Sequence, residues 1–189
     1  LFADAESVDV NLVIAGGHDL VTQKYVQDNI AKTRKDCVSF HSPLLASCVN
    51  NAGSEVTSIT SDKGSLAATS YSMMDSNWKY MYDRYNDVFR WVPLAGDIAG
   101  LCANTDLVRD PWYSPAGLNR GGLTDVIMAK DRLTHAERDE LYEGRVNPIA
   151  TFPGEGVVVW GQKTLQAKPS ALDRVNVRRL LISLKKFIA

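Results

Sequence analysis

The residues of this 189-residue sequence that could do chemistry are three cysteines (Cys37, Cys48, Cys102), three histidines (His18, His41, His135) and the glycine pair Gly16-Gly17. A thiol beside an imidazole is a nucleophile with its base, and Cys37 with His18 or His41 would supply that pair. Cys37, however, opens "CVSFHSP", which reads as a central strand, where cysteine behaves as a small inert hydrophobe. A strand ending in glycine before a helix resembles the start of a phosphate-binding turn, but neither GxGxxG nor GxxxxGK(S/T) is present, so a plain glycine-ended turn is expected. The histidines are scattered and the cysteines lack metal-ligand spacing, so neither a metal nor a disulfide framework is expected, and a reducing compartment suits the odd cysteine count. In "THAERDEL", Glu137 serves to cap a helix from Thr134, and Asp139 and Glu140 lie on its solvated face. No catalytic residue and no cofactor is expected. A doubly wound α/β enzyme stays as the competing class, favoured only if the chain bound a nucleotide or lost an activity on changing Cys37.

The elements that would position any site alternate between strand and helix. "VDVNLVIAGG" reads as a strand, the segment after it as a helix through Leu20, Val21, Tyr25, Val26 and Ile30, and "CVSFHSP" as a second strand parallel to the first. Residues 50–72 read as a helix between loops. "NWKYMYDRY" and "DVFRWVP" read as strands joined by a tight turn at Asn86 and Asp87. A helix to about Leu107, a strand at "LTDVIMAK", the capped helix, and "VNPIATFP" and "GVVVWG" about a glycine turn follow, with a last helix from about Ala171. The fold class is therefore α/β, a mixed sheet flanked by helices. No apolar run approaches the roughly 18 residues of a membrane span. A formal net charge of -1 argues against whole-molecule attraction to nucleic acid or an anionic membrane.

Two stretches stand out. "DPWYSPAGLNRGG", Asp110 to Gly122, holds two prolines that fix φ, three glycines that permit tight turns, and the rigid apolar rings of Trp112 and Tyr113. It is either a surface that meets other molecules, with Asn119 and Arg120, or a stiff connector whose Trp112 covers the core. The last helix carries Arg174, Arg178, Arg179, Lys185 and Lys186 against the single acid Asp173, so the rest of the chain is net acidic. Helical spacing puts Arg174, Arg178 and Lys185 on one flank and sets Leu180, Leu184 and Ile188 on a stripe expected to pack against the sheet. The basic flank is either a solvated face or a contact with an acidic partner.

The ordered set "AGDIAGLCANTDLVRDPWYSPAGLNRG", "ERDELYEGRVNPIATFPGEGVVVWGQKTL" and "LDRVNVRRLLISLKKFIA" resembles the tail sheath proteins of contractile-tailed bacteriophages, closest to those of T4-like myoviruses. The pattern PAG-x-NRG, then LY-x-x-x-(I/V)NP, VVVWG-x-(K/R)TL and (V/I)NVRRL spans Ala95 to the end, and the preceding half suits the family in order and character. Asn104 and Asp110-Pro111 depart from it at loop-proximal positions. The resemblance implies a structural protein with no catalytic residue or cofactor. Its subunits would form stacked hexameric rings around a tail tube and contract to drive that tube through the host envelope. It implies partners in further copies of itself, the tube protein, and baseplate and terminator proteins, with no nucleic acid and no membrane insertion, in a virion tail assembled in the host cytoplasm. Arg174, Arg178, Arg179, Lys185 and Lys186 would then meet the tube or a neighbouring subunit, and Trp112, Tyr113, Asn119 and Arg120 would form an interface loop. The chain reads as one core domain, residues 1–189, of a longer protein whose terminal arms and most protruding insertions lie elsewhere. The sheath of a related machine, a type VI secretion system or an R-type bacteriocin, is the nearest alternative.

Overall fold

The structure is a computed structural model that describes residues 4–124, 126–129 and 133–188. Strand β1 (Leu12–Ile14) pairs in parallel with β2 (Val38–His41), as the first apolar runs predict, with Leu12 opposite Val38. The crossover is α1 (Leu20–Val26), capped by the Asp19 side chain on the Thr22 amide, then a π-helical turn at Gln27–Ala31 and the short α2 (Lys32–Arg34). Lys35, at φ 58°, ends it. After β2 come α3 (Leu45–Cys48) and α4 (Glu55–Gly64), and then β3 (Ser72–Met74), which pairs in parallel on the other side of β2. β2 is thus the central strand, buried along its whole length.

The expected hairpin is β4 (Trp78–Asp83) with β5 (Val88–Pro93), turning where the Asp83 side chain accepts from the Tyr85 and Asn86 amides and where Asp87 takes φ 53°. The "LTDVIMAK" run is divided between two partners. Leu123 donates its amide to the Val157 carbonyl, whereas β6 (Met128–Ala129) pairs with β4; Asp125 and Lys130 lie outside the described residues. Helix α5 (Ala95–Val108) lies against β1 and β2, and α6 (His135–Glu143) begins with the predicted capping box of Thr134 and Glu137. β7 (Ile149–Phe152) and β8 (Gly156–Val159) form the last hairpin, with Gly154 and Gly156 at positive φ. A 3-10 turn at Ala171–Asp173 precedes α7 (Val175–Ile188), so the final helix starts four residues later than its sequence suggests. The class is α/β as expected, but the strands are distributed over three small sheets.

Two apolar clusters hold the layers together. Phe40, Met73, Ile98, Cys102, Ile149, Val159, Val175 and Ile182 form one, and Cys48, Ile59, Met74, Trp78, Leu141 and Leu165 the other. All three thiols are buried. Burial pushes Cys37 up to about 11 and Cys102 up to about 12, so neither offers a thiolate at neutral pH.

Two buried ionisable groups sit at the ends of the parallel strands, His41 as the last residue of β2 and Asp75 just after β3. His41 has Nε2 2.8 Å from the Ser39 hydroxyl, and burial lowers its pKa to about 4. The Asp75 carboxylate accepts from the Ser42 hydroxyl at 2.5 Å and the Asn77 amide at 3.1 Å, yet burial, aided by the charge of Asp97, raises its pKa to about 7. The folded chain therefore holds the Asp75 proton more tightly than the unfolded chain, and this group's contribution to stability falls as pH climbs from about 4 to about 7. His41 acts in the opposite sense, destabilising the fold as pH falls from its ordinary 6.5 toward about 4. Above pH 6.5 Asp75 acts alone of the two. Asp75→Asn is expected to flatten the dependence of melting midpoint on pH just above 6.5; an unchanged slope there would mean that the group ionises as an ordinary carboxylate.

Candidate functional site

The loop at 110–122 is built by its glycines and prolines onto the outer edge of β8. Gly117, at φ 88°, donates to the Val159 carbonyl at 2.9 Å, and Val159 donates to the Gly121 carbonyl at 2.8 Å. Gly121 itself closes a turn on the Gly117 carbonyl at 2.7 Å. Arg120 is used inside the loop: its Nε donates to the Ser114 carbonyl at 2.8 Å and its guanidinium lies 5.3 Å from the centre of the Tyr113 ring. The loop is also tied to α7, since the Asn176 side-chain amide donates to the Trp112 carbonyl at 3.0 Å.

What this frame presents outward is apolar. Trp112 is 49% exposed, and Tyr113, Leu118 and Asn119 are exposed with it. The loop's contact with the core comes from Ala116, and Pro115 is buried beside it, so Trp112 is not the residue that seals the interior. A fully buried tryptophan would cost about 3 kcal/mol or more on truncation. For this half-exposed ring Trp112→Ala is expected to cost about 1 kcal/mol, read as a small fall in melting midpoint, and a large fall would show that the ring packs inward.

Helix α7 corrects the expected assignment of its faces. Val175, Arg178, Arg179 and Ile182 are the buried stripe, whereas Leu184 is 44% and Ile188 81% exposed, with Leu181 and Phe187 exposed beside them. The physical reason lies in what receives the two arginines. Arg178 stacks 4.1 Å over the Tyr71 ring and donates to the Ser70 and Tyr71 hydroxyls. Arg179 is paired with Asp106 and donates to the Cys102 carbonyl. With partners for the guanidiniums, their aliphatic stems serve as apolar surface, and of the stripe expected inward Leu184 and Ile188 turn outward while Leu180 stays half-buried. Lys186 is likewise occupied, donating to the Asp9 and Asn11 side chains and the Val10 carbonyl. Arg174 binds Asp173 and the Tyr142 hydroxyl at the surface, and Lys185 is exposed. The five basic residues thus do not form one outward flank.

A third surface escaped the sequence reading. The β4–β5 hairpin exposes Tyr82, Tyr85, Val88 and Phe89, and together with Ile127 borders an open cleft of about 590 Å³. Tyr82 and Phe89, directly opposite one another, pack their rings at a tilt of 51° with centres 5.2 Å apart, and Phe89 stacks on Tyr80 at 5.4 Å. The alternation of aromatic residues in "YMYDRYNDVFRW" sets Tyr80, Tyr82, Phe89 and Trp91 on one face of the hairpin, which was the available signal. Exposed apolar surface of this extent on loop, helix and hairpin is available to be covered by other protein surface.

The residues with chemical potential are spent elsewhere. Among the described residues no group of three or more His, Cys, Asp or Glu is placed to hold a metal. His135 is exposed against Asp139. A Cβ on Gly16 would lie 2.6 Å from the Ala95 Cβ and 2.7 Å from the Ser42 hydroxyl, so this glycine serves the close approach of the turn to α5.

Comparison with known proteins agrees with a structural role. The family described as phage tail sheath protein central domain matches residues 1–165. The tail sheath protein of Vibrio phage KVP40 is 43% identical over 100% of this chain and 31% of its own length, and that of Enterobacteria phage T4 is 44% identical over 97% of the chain and 30% of its own. The chain therefore spans about a third of these relatives. Among solved structures, the sheath complex of the extracellular contractile injection system PVC in its contracted state superposes with a TM-score of 0.75 at 24% identity, covering 96% of this chain and 47% of that one. The contracted helical sheath of the anti-feeding prophage gives 0.71 at 20%, covering 96% and 46%.

Proposed function

The chain belongs to the phage tail sheath protein family, and on that premise we propose that it is the core of a sheath subunit that polymerises as stacked hexameric rings around a tail tube. Contraction of that polymer would drive the tube through the host envelope. The observation that carries this reading is identity above 40% to two phage tail sheath proteins along essentially the whole chain. The family is one of structural sheath proteins and not of enzymes. The outward apolar surfaces support the reading physically, because a subunit held only by its neighbours must keep such surface uncovered until it assembles.

Within this reading, Trp112, Tyr113 and Asn119 are subunit contacts held in place by Arg120, and Arg174 and Lys185 face the tube or an adjoining subunit. Residues 1–189 would be one core domain, with baseplate and terminator proteins meeting the polymer at its ends. Assembly would take place in the host cytoplasm and the product would be part of the virion. A second reading, the sheath of a related contractile injection machine, draws on the likeness to the PVC and anti-feeding prophage sheaths, but at 20–24% identity that likeness is one of fold alone. Negative-stain microscopy of the full-length protein is the test. Long hollow tubes are the expected product, and uniform small particles would overturn the proposal.

A further inference from the structure

We infer that Arg178 is one half of a contact between copies of this chain, and that a carboxylate side chain of the adjoining copy is the other half. The inference rests on the sheath reading and deepens it. Arg178 is 8% exposed. Other deeply placed cations of the chain have a carboxylate against them: Arg34 has Asp36 at 2.8 Å, Lys79 has Asp97 at 2.7 Å, and Arg179 has Asp106. Among the described residues Arg178 has none. Its partners are the Tyr71 ring at 4.1 Å, the Tyr71 hydroxyl at 3.1 Å and the Ser70 hydroxyl at 2.5 Å, and its buried Nε meets no acceptor. Burial lowers the proton affinity of the group, but a guanidinium does not give up its proton in a protein, so titration cannot relieve the isolated charge.

The surroundings suit an anion. The Ser70 and Tyr71 hydroxyls accept from Arg178 and each keeps its own proton to donate, so a carboxylate at this place would meet hydroxyl donors as well as the guanidinium. Ser70 and Tyr71 end the connection from α4 to β3, where Ala68 is exposed and Tyr71 half-buried, so the cradle lies just beneath the surface. A second copy is the fitting source, because outside its last helix this chain is net acidic.

The test uses full-length protein assembled into tubes and imaged by cryo-electron microscopy at side-chain resolution. A carboxylate oxygen of an adjoining copy is expected within about 4 Å of the Arg178 guanidinium. Changing that Asp or Glu to its amide is expected to lower sedimentable tube at least about 10-fold, the scale of a truncated charge-pair partner at an interface, with the melting midpoint of the unassembled subunit unchanged. A carboxylate from the same chain, a bound inorganic anion, or no anion at all overturns the inference. Arg178→Met gives an independent reading: an apolar side chain of similar length is expected to leave the unassembled subunit as stable or more so while tube yield falls. A marked loss of subunit stability would mean that the charge is compensated within the chain, and would also overturn it. Wild-type protein that forms no tube overturns the sheath reading and this contact with it, whereas tubes without the carboxylate overturn the contact alone.

Discussion

Gly121→Ala is expected to lower the melting midpoint by roughly 6–12 °C, about 3 kcal/mol, while the same change at the next residue, Gly122→Ala, leaves it unchanged or slightly raised. The two glycines are adjacent, so composition and local charge cannot separate them; packing does. A Cβ on Gly121 would lie 2.6 Å from the Val159 carbonyl oxygen and 2.8 Å from both the amide nitrogen and the carbonyl oxygen of Gly117. All three are backbone atoms, and the Val159 and Gly117 oxygens already accept from Gly117 and Gly121. Moving aside therefore breaks the bonds that seat the loop on β8. At Gly122 an added Cβ meets nothing within 4 Å. The same displacement would carry Trp112, Tyr113 and Leu118 away from their positions, so tube formation by Gly121→Ala protein is expected to fall further than the loss of stability alone explains. Thermal melting of both variants beside sedimentation of their tubes checks this, and equal midpoints would show that the loop is not held by these contacts.

Most of the fold was legible because its elements carry strong local signals. The continuous β-branched run "VVV" after the glycine turn, the capping box at Thr134 and the turn formers at Asn86 and Asp87 each depend on neighbours in sequence, and each recurs in the structure. The misreadings share a different cause. β3 is three residues long and begins at a buried Ser72 that lies 2.7 Å from the Ser39 hydroxyl, so its signal sits thirty-three residues away. The split of "LTDVIMAK" depends on β8 competing with β4 for its two ends. On α7, spacing assigned the apolar stripe inward because arginine is ordinarily an exposed residue. What reversed it was Tyr71, Ser70 and Asp106, none near Arg178 or Arg179 in sequence. The outward surface of the loop was legible in composition, since Trp112 and Tyr113 lie between prolines, whereas the exposed leucines of α7 became visible only once the arginines were placed.

That reversal separates two charge changes that the sequence alone treats alike. Arg179→Glu is expected to destabilise the subunit by about 3 kcal/mol, and Lys185→Glu by under about 0.5 kcal/mol. Removing Arg179 leaves Asp106 without this partner, takes the side-chain donor from the Cys102 carbonyl, and sets a second carboxylate where the first already stands. The figure sits at the low end for a broken buried pair because Asp106 is 37% exposed and water can reclaim it. Lys185 is exposed, so its reversal leaves the core of α7 untouched. Its effect should appear in assembly instead. If Lys185 faces an acidic neighbour or tube, Lys185→Glu protein should fold as the wild type does yet form fewer tubes, most clearly at low salt, where charges are felt beyond about 10 Å. Circular dichroism melts and microscopy of the two variants in parallel decide the matter. Arg179→Glu protein that melts like the wild type would overturn the inward assignment of this face. Lys185→Glu protein that assembles normally at every salt concentration would remove Lys185 from the contact and leave the exposed apolar residues Leu181, Leu184, Phe187 and Ile188 to carry it.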